Sequence, residues 1–327
     1  MTVRTLILAL LVAASANAPA AEPHLIIVTG LGGESYYSDL FHRWAGSLTE
    51  VATTRLGISP ARVIRLAEDP SQDPEFIAAA SRKENLIDVI HRLSETSVEG
   101  DVIALVYLGH ATTRGDSALL NLPGPDLSAV ELAAALDVLA GKTVVVVIAA
   151  PASAPFVETL SAPGRIVITA TSSTSENQHT RFGGHFVDAF AEDAADLDKD
   201  KQVSMLEAFR YATREVARVF ETEGRIATEH AMLDDNGDRT GSRDPDGDGG
   251  DGVLAARVHL QAPAAANTAA GGEALALQIQ ARRLVDRIEE VKRNKRSLES
   301  VDYLQQLEDL LVELALNRRA YRAQQVH

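Results

Sequence analysis

The sequence predicts an α/β protein with a mostly parallel, doubly wound sheet. Five apolar runs recur along the chain, at residues 25–29, 62–66, 102–108, 144–150 and 165–171, and helical or polar segments separate them. The third and fourth runs are apolar almost without interruption, which is typical of parallel strands that are covered on both faces. Strands that alternate with helices form sheets with right-handed crossovers, so helices are expected on both faces of the sheet.

The segments between these runs carry helix signals. Helices are expected at residues 37–56, 81–93, 126–139, 186–190 and 205–220. Apolar residues within 81–93 recur at the spacing of an amphipathic helix. Either Asp126 or Ser128 is a suitable N-cap for the helix that follows them, and Gly141 is well placed to end it.

Composition and charge narrow the classes of function. The formal net charge is −15 and the sequence pI is about 5.0, which argues against a nucleic-acid partner because phosphate binding needs clustered Lys and Arg. The chain contains no cysteine, so it has neither disulfides nor thiol chemistry. We expect a protein or peptide partner.

The first 21 residues predict export to the periplasm or secretion. Arg4 supplies a positive start, residues 6–14 supply an apolar core, and small residues within 16–20 supply a cleavage site. The core is too short to span a bilayer comfortably, and no other stretch approaches that length. An integral membrane protein is therefore not expected.

The rest of the chain divides into a main domain and a helical tail. Residues 22–260 are expected to form the α/β domain, 261–272 an alanine-rich linker and 273–327 the tail. Apolar residues recur in the tail at heptad-like spacing in two sets, which are Leu277, Leu284, Ile288 and Val291, and Leu304, Leu307, Leu311 and Leu314. Two interpretations stay open: a helical hairpin within one chain, or a homodimer formed through the tails.

An acidic segment predicts a calcium-binding EF-hand loop. The residues at ligand positions 1, 3, 5, 7, 9 and 12 of this loop are Asp196, Asp198, Asp200, Gln202, Ser204 and Glu207, with Gln202 offering its backbone carbonyl. Hard Ca²⁺ prefers such oxygen ligands, and Glu207 is placed to bind through both carboxylate oxygens. Lys201 departs from the pattern, because glycine normally provides a left-handed backbone there. The alternative is a solvated acidic turn before a helix.

Two weaker acidic arrays follow this loop. Asp244, Asp246 and Asp248 repeat the start of a calcium loop but lack a glutamate at the twelfth position, and Asp234, Asn236 and Asp238 form a third partial array. A disordered acidic loop is the alternative for both arrays.

Two strand ends are expected to carry the functional site. The run at 102–108 ends in Gly109-His110, and the run at 144–150 leads into Pro151-Ala152-Ser153. Because the carboxyl ends of parallel strands meet at one edge of a sheet, where α/β proteins bind ligands, these residues are expected to lie close together.

Other conspicuous residues have simpler interpretations. The glycine-rich turn at 30–33 is interpreted as a tight strand-to-helix connection, with a phosphate site as the alternative. Phe41 and Trp44 are assigned to the core. His179, His185 and His230 lack the spacing of zinc ligands and are assigned to the surface.

The order of the motifs resembles that of the caspase-like and legumain-like cysteine peptidases, in particular the bacterial legumain-like proteins of peptidase family C13. The motifs are Tyr107-Leu108-Gly109-His110, Leu122-Pro123-Gly124-Pro125-Asp126-Leu127, residues 144–156, Ile168-Thr169-Ala170-Thr171 and Arg181-Phe182-Gly183, within roughly residues 24–240. The resemblance implies a caspase-like three-layer α/β sandwich, in which a histidine after one strand and a cysteine after the next form a catalytic dyad. His110 takes the place of that histidine.

The resemblance breaks at the nucleophile. Aligning Ser153 with the serine of the family's Ala-Cys-x-Ser-Gly pattern puts Pro151 where the cysteine belongs. Three interpretations follow. The protein is a non-catalytic relative that serves as a calcium-stabilised, exported binding or assembly module; or it is a serine hydrolase with Ser153 as nucleophile, His110 as base and Asp116 as orienting carboxylate; or it is a phosphate- or nucleotide-binding α/β protein. The missing thiol favours the first.

Overall fold

In the part of the chain that this computed structural model describes, ten strands form two sheets. The structure describes residues 22–98, 100–115, 117–246, 250–262 and 300–324, together with single positions between 277 and 295. The strands are β1 (Pro23–Thr29), β2 (Val63–Ala67), β3 (Ile77–Ala80), β4 (Val102–Leu108), β5 (Ala111–Arg114), β6 (Ser117–Leu120), β7 (Leu127–Ser128), β8 (Thr143–Ala149), β9 (Arg165–Thr169) and β10 (Met232–Asp234). The main sheet has the order β10-β9-β8-β4-β1-β2-β3, and only β10 is antiparallel to its neighbour.

Helices cover both faces of the main sheet. They are α1 (Ser35–Thr54), α2 (Lys83–Thr96), α3 (Ala129–Leu136), α4 (Pro155–Leu160), α5 (Phe182–Ala191) and α6 (Met205–Thr222), and α7 (Ser300–Gln324) lies in the tail. Alternate residues of β4 enter different cores: Val106 packs with α1, α5 and α6, whereas Leu105 packs with α2, α3 and α4. The predicted three-layer α/β sandwich with a mostly parallel sheet is confirmed.

The five predicted strands are confirmed as β1, β2, β4, β8 and β9, but other strands were missed. β3 is short and ends in three alanines, so its strand signal is weak. β10 ends where the acidic array of Asp234, Asn236 and Asp238 begins, and no strand was predicted there, yet it extends the sheet beyond β9. A separate antiparallel sheet of β5, β6 and β7 begins directly after His110.

The helix that follows β7 begins at a capping box. The Ser128 hydroxyl accepts the N–H of Glu131 at 3.2 Å, and the Glu131 carboxylate accepts from the Ser128 N–H at 3.0 Å. Ser128 is therefore the N-cap, whereas Asp126 accepts from the N–H of Leu122 at 3.4 Å. Gly141 follows this helical segment with a φ of 88°, a conformation that glycine tolerates best.

The tail contains a small core of its own. Leu284, Ile288 and Leu310 are buried together, and Val291, Leu307 and Leu314 pack against them. The two apolar sets of the tail thus contact each other, as a hairpin requires. Leu304 and Leu311 were predicted on the same seam but are 62% and 48% exposed, because the inward face of α7 includes Leu310 instead.

Some predictions concern residues outside the described ones. The export signal at residues 1–21 and residues 263–272 of the linker belong to this group. Within the part of the chain that the structure describes, no helix combines the length and the apolar character needed to cross a bilayer.

Candidate functional site

The two strand ends that we predicted to carry the site are adjacent. β4 and β8 pair in parallel along their whole length, from Val102 opposite Thr143 to Leu108 opposite Ala149. His110 and Pro151 therefore each follow the end of one of two neighbouring strands, at the carboxyl edge of the sheet.

A buried tyrosine fixes the backbone at this edge. The Tyr107 hydroxyl donates to the carbonyl oxygens of His110 and Asn121, at 2.7 and 3.1 Å. A Cβ atom at Gly30 or Gly109 would lie only 2.1 or 2.6 Å from that hydroxyl oxygen. Both positions therefore require glycine, because the tyrosine passes directly beneath the two turns.

The glycine-rich turn after β1 has the geometry of a tight connection. The N–H groups of Leu31 and Gly32 donate to the Asn121 carbonyl at 2.9 Å and to the Glu68 carboxylate at 3.1 Å. The Ser38 hydroxyl donates to the same carboxylate at 2.9 Å. A carboxylate at this turn repels an anion, so the geometry favours a structural turn over a phosphate site.

His110 lies among rings from α1 and from the loop before α5. Its ring centroid is 5.1 Å from that of Tyr37, 5.2 Å from that of Phe41 and 6.4 Å from that of His179. His179 also stacks on Trp44 at 6.2 Å. The surface assignment of His179 is therefore wrong, and of the two predicted core residues Phe41 is buried whereas Trp44 is only half-buried.

Burial keeps both imidazoles uncharged at neutral pH. It lowers the pKa of His110, although a hydrogen bond with the Gly32 backbone acts in the opposite direction. Burial also lowers the pKa of His179 to about 4, and the nearby His110 and Arg181 add to this effect. A neutral His110 can accept a proton or a hydrogen bond.

The residues after β8 connect this strand to β9. Ser153 is fully buried, and its hydroxyl lies 3.0 Å from that of Thr171 and accepts the Thr171 N–H at 3.2 Å. The Ser153 N–H donates to the Thr171 hydroxyl at 2.7 Å. Pro151 is buried as well, and among the described residues no hydrogen bond joins Ser153 to His110. Asp116, the expected orienting carboxylate, lies outside the described residues.

Glu176 is a residue of this edge that sequence reasoning missed. Its carbonyl accepts the N–H of Ala152 at 2.9 Å, and its carboxylate accepts the N–H of Ser172 at 2.7 Å. The carboxylate also lies 2.5 Å from Nδ1 of His230. It thus joins the loops after β8 and β9 to the segment before β10. No motif marks it, because its three partners come from separate parts of the chain.

The predicted EF-hand loop brings three acidic side chains together. Carboxylate oxygens of Asp196, Asp198 and Glu207 all lie within 4.8 Å of one another. Lys201 adopts a φ of 72°, so the backbone is left-handed at the position where the pattern usually has glycine. In the same loop the Gln202 N–H donates to the Asp200 carboxylate at 2.8 Å. Ser204 serves as the N-cap of α6 and accepts the N–H of Glu207 at 3.2 Å.

The charges of this loop fit a hard cation. The Glu207 carboxylate accepts the N–H groups of Leu197 and Asp198, at 2.9 and 3.3 Å. Burial raises the pKa of Asp200 to about 6, and the adjacent Asp198 and Glu207 act in the same direction. A cation at the loop would offset this repulsion between carboxylates.

The two weaker arrays have a different character. Asp244 and Asp246 are exposed, and Asp248 lies outside the described residues. Asp234 is fully buried and accepts from the Ser161 hydroxyl at 2.9 Å, while the carboxamide oxygen of Asn236 accepts the N–H of Asp238 at 2.7 Å. Among the described residues, only the 196–207 loop brings three acidic side chains close enough together to hold a metal ion.

Comparison with models of known protein families gives no match, and a search of curated proteins finds no matching protein either.

Proposed function

We propose that this protein is a catalytically inactive relative of the caspase-like and legumain-like peptidases, and that it acts as an exported, calcium-stabilised binding or assembly module. The observation that carries the proposal is that Pro151 is buried and follows β8. This strand pairs with β4, and the end of β4 leads into His110. Proline has no nucleophilic atom, so this edge keeps the histidine of a dyad without its partner.

Ser153 is a poor substitute for the missing thiol. A serine nucleophile must be accessible to substrate and hydrogen-bonded to its base. The Ser153 side chain is fully buried and is hydrogen-bonded to Thr171, two residues after the neighbouring strand β9 ends. Its geometry supports a structural role in joining β8 to β9.

The edge around His110 retains the properties of a binding surface. Tyr37, Trp44 and His179 are half-buried there, and Tyr36 is 61% exposed. Aromatic and imidazole rings offer apolar contact together with hydrogen-bonding groups, which suits a protein or peptide partner. The net charge of −15 favours partners that carry positive charge.

A cation bound at the 196–207 loop would stabilise the C-terminal part of the α/β domain, which supports the proposal. At the end of the loop, the Met205 N–H donates to the Val258 carbonyl at 2.9 Å and the Leu206 N–H donates to the Ala255 carbonyl at 3.1 Å. Ordering the loop with a cation would therefore also order the segment that contains residues 255–258.

Covalent labelling tests the absence of catalysis. We expect a fluorophosphonate probe to leave the wild-type protein unlabelled, and peptide and ester substrates to remain intact, because Pro151 has no nucleophilic atom and Ser153 is buried. The variants Ser153→Ala and Ser172→Ala provide a matched pair, since Ser172 is a half-buried serine near the same edge. Labelling that only Ser153→Ala removes, or hydrolysis that His110→Ala abolishes, would overturn the proposal.

A further inference from the structure

A cavity lies between the helical layer and the segment that leads into β10, apart from the edge at His110. It has a volume of about 300 Å³ and is lined by residues of α5, α6 and the segment at 227–244. That volume is at the lower end of the range for small-molecule sites, roughly 300–1,000 Å³. None of the residues at the ends of β4 and β8 lines it, so it is independent of the proposed function.

The walls of the cavity are mainly apolar. Phe182, Val216, Ala217 and Ala227 contribute ring, methyl and methylene surface. Such walls suit an aliphatic chain and do not suit a bare metal ion, which needs several oxygen or nitrogen ligands.

The cavity also contains a buried carboxylate without a counter-ion. Glu229 is only 5% exposed and accepts the N–H of Arg181 through both oxygens, at 2.7 and 3.1 Å. The guanidinium of Arg181 is instead engaged by Glu223, at 2.7 and 3.0 Å. Within the described ranges, no Lys, Arg or His side chain forms a salt bridge with Glu229. A buried carboxylate of this kind is costly unless a cation neutralises it.

A second polar group of the cavity is unsatisfied. The Thr213 hydroxyl is buried and forms no hydrogen bond among the described residues. Burial raises the pKa of Glu229 to about 7, although the backbone N–H of Arg181 and the charges of Arg181 and His185 act in the opposite direction. The site therefore offers the Glu229 carboxylate, the Thr213 hydroxyl and apolar walls. His230 and the neighbouring residues of opposite charge, Arg243 and Asp244, also line it.

We propose that this cavity binds an aliphatic chain ending in a primary ammonium group, with the Glu229 carboxylate as counter-ion and the Thr213 hydroxyl as a further acceptor. The methylene groups lie along Phe182, Val216 and Ala217. Two sources present this chemistry, a free alkylamine and the side chain of a lysine in a peptide.

Titration of the full chain with small probes tests the proposal. We expect n-butylamine to bind at neutral pH and to raise the melting temperature, whereas 1-butanol and ammonium chloride do not, because each lacks either the charge or the chain. N-acetyl-lysine methylamide and its norleucine analogue distinguish the two sources. Binding of n-butylamine or of N-acetyl-lysine methylamide supports the proposal. If neither compound binds, the proposal is overturned.

Three variants locate the binding. Glu229→Gln should weaken n-butylamine binding about tenfold or more, since a hydrogen bond to a charged group is lost. Ala217→Leu should fill the cavity and abolish n-butylamine binding while keeping Glu229. This variant tests the proposal if Glu229→Gln does not fold. Glu223→Gln is the control, because Glu223 also contacts Arg181 but does not line the cavity. Equal binding by wild type and Ala217→Leu, or binding of 1-butanol as tight as that of n-butylamine, would contradict the proposal.

Discussion

Burial among aromatic rings sets the charge of the histidines at the carboxyl edge. His110 and His179 both contact Tyr37 and Phe41, and in both cases the loss of hydration disfavours the imidazolium. Neutral rings at this edge can accept hydrogen bonds without attracting anions. This property suits recognition of a peptide, whose backbone N–H groups are donors.

His179 should make stability depend on pH in a defined direction. Its folded-state pKa of about 4 lies below its ordinary value of 6.5, so as the pH falls below 6.5 the unfolded chain takes up the proton first. The contribution of His179 to the free energy of unfolding is therefore retained above 6.5 and lost progressively down to about 4. In His179→Asn this part of the pH dependence should disappear.

Urea unfolding at a series of pH values measures this effect. The carboxyl groups with raised pKa values, such as Glu229, change stability in the opposite sense, so the informative quantity is the difference between wild type and variant. His91→Asn serves as a control at an exposed histidine on α2 and should give the wild-type profile. Profiles of wild type and His179→Asn that stay parallel between pH 6.5 and 4 would contradict this account.

At the level of elements, the predicted EF-hand loop at residues 196–207 is the segment where we expect a cation to act. Its backbone already follows the required path, with Lys199 and Lys201 both at positive φ. Non-glycine residues in this conformation cost roughly 1–2 kcal/mol each. A cation that binds only the folded loop would offset this cost.

Calcium should therefore raise the melting temperature reversibly. At a tenfold excess over the dissociation constant the expected gain is about 1.4 kcal/mol, which corresponds to a few degrees for a domain of this size. Asp198→Asn should abolish the shift because it removes a converging carboxylate, whereas Asp193→Asn, in the exposed pair with Arg55, should keep it. Melting that is identical in calcium and in EDTA would refute the calcium site.

The tail helix offers a matched test of the hairpin. Leu310 is 5% exposed within the small core of the tail, and its neighbour Leu311 is 48% exposed. Leu310→Ala should open the tail to limited proteolysis, since a leucine-to-alanine change in a packed site costs about 2–5 kcal/mol, and Leu311→Ala should not. If the tail forms a hairpin within one chain, the increased cleavage of Leu310→Ala should not depend on protein concentration. Equal cleavage of the two variants, or cleavage that depends on protein concentration, would favour a homodimer formed through the tails.

For the whole molecule, the sequence predicted the strands that have strong apolar signals and the order in which they occur. It placed Gly109-His110 and Pro151 at the same edge because strand ends in a parallel sheet are set by chain order. The capping residue Ser128, one of two candidates, and the left-handed backbone at Lys201 were likewise encoded locally.

Contacts between distant segments were not predictable in the same way. Glu176 joins two loops to His230, and Glu229 binds the backbone of Arg181, the N-cap residue of α5, from 48 residues away. Neither residue stands in a motif, and a glutamate on its own is normally solvent-exposed. β10 was missed for a similar reason, since a strand of three residues carries little local signal and depends on its pairing with β9.

Alkylation of Pro151→Cys tests most directly whether Pro151 occupies the nucleophile position beside His110. This variant gives the chain its only cysteine, so iodoacetamide reports on a single thiol. A thiol beside a neutral imidazole can pass its proton to the ring, so at neutral pH we predict alkylation about tenfold or more faster than in Pro151→Cys combined with His110→Ala. At high pH, where the thiol is ionised in both proteins, the two rates should converge. Equal rates with and without His110 at neutral pH would contradict that placement of Pro151.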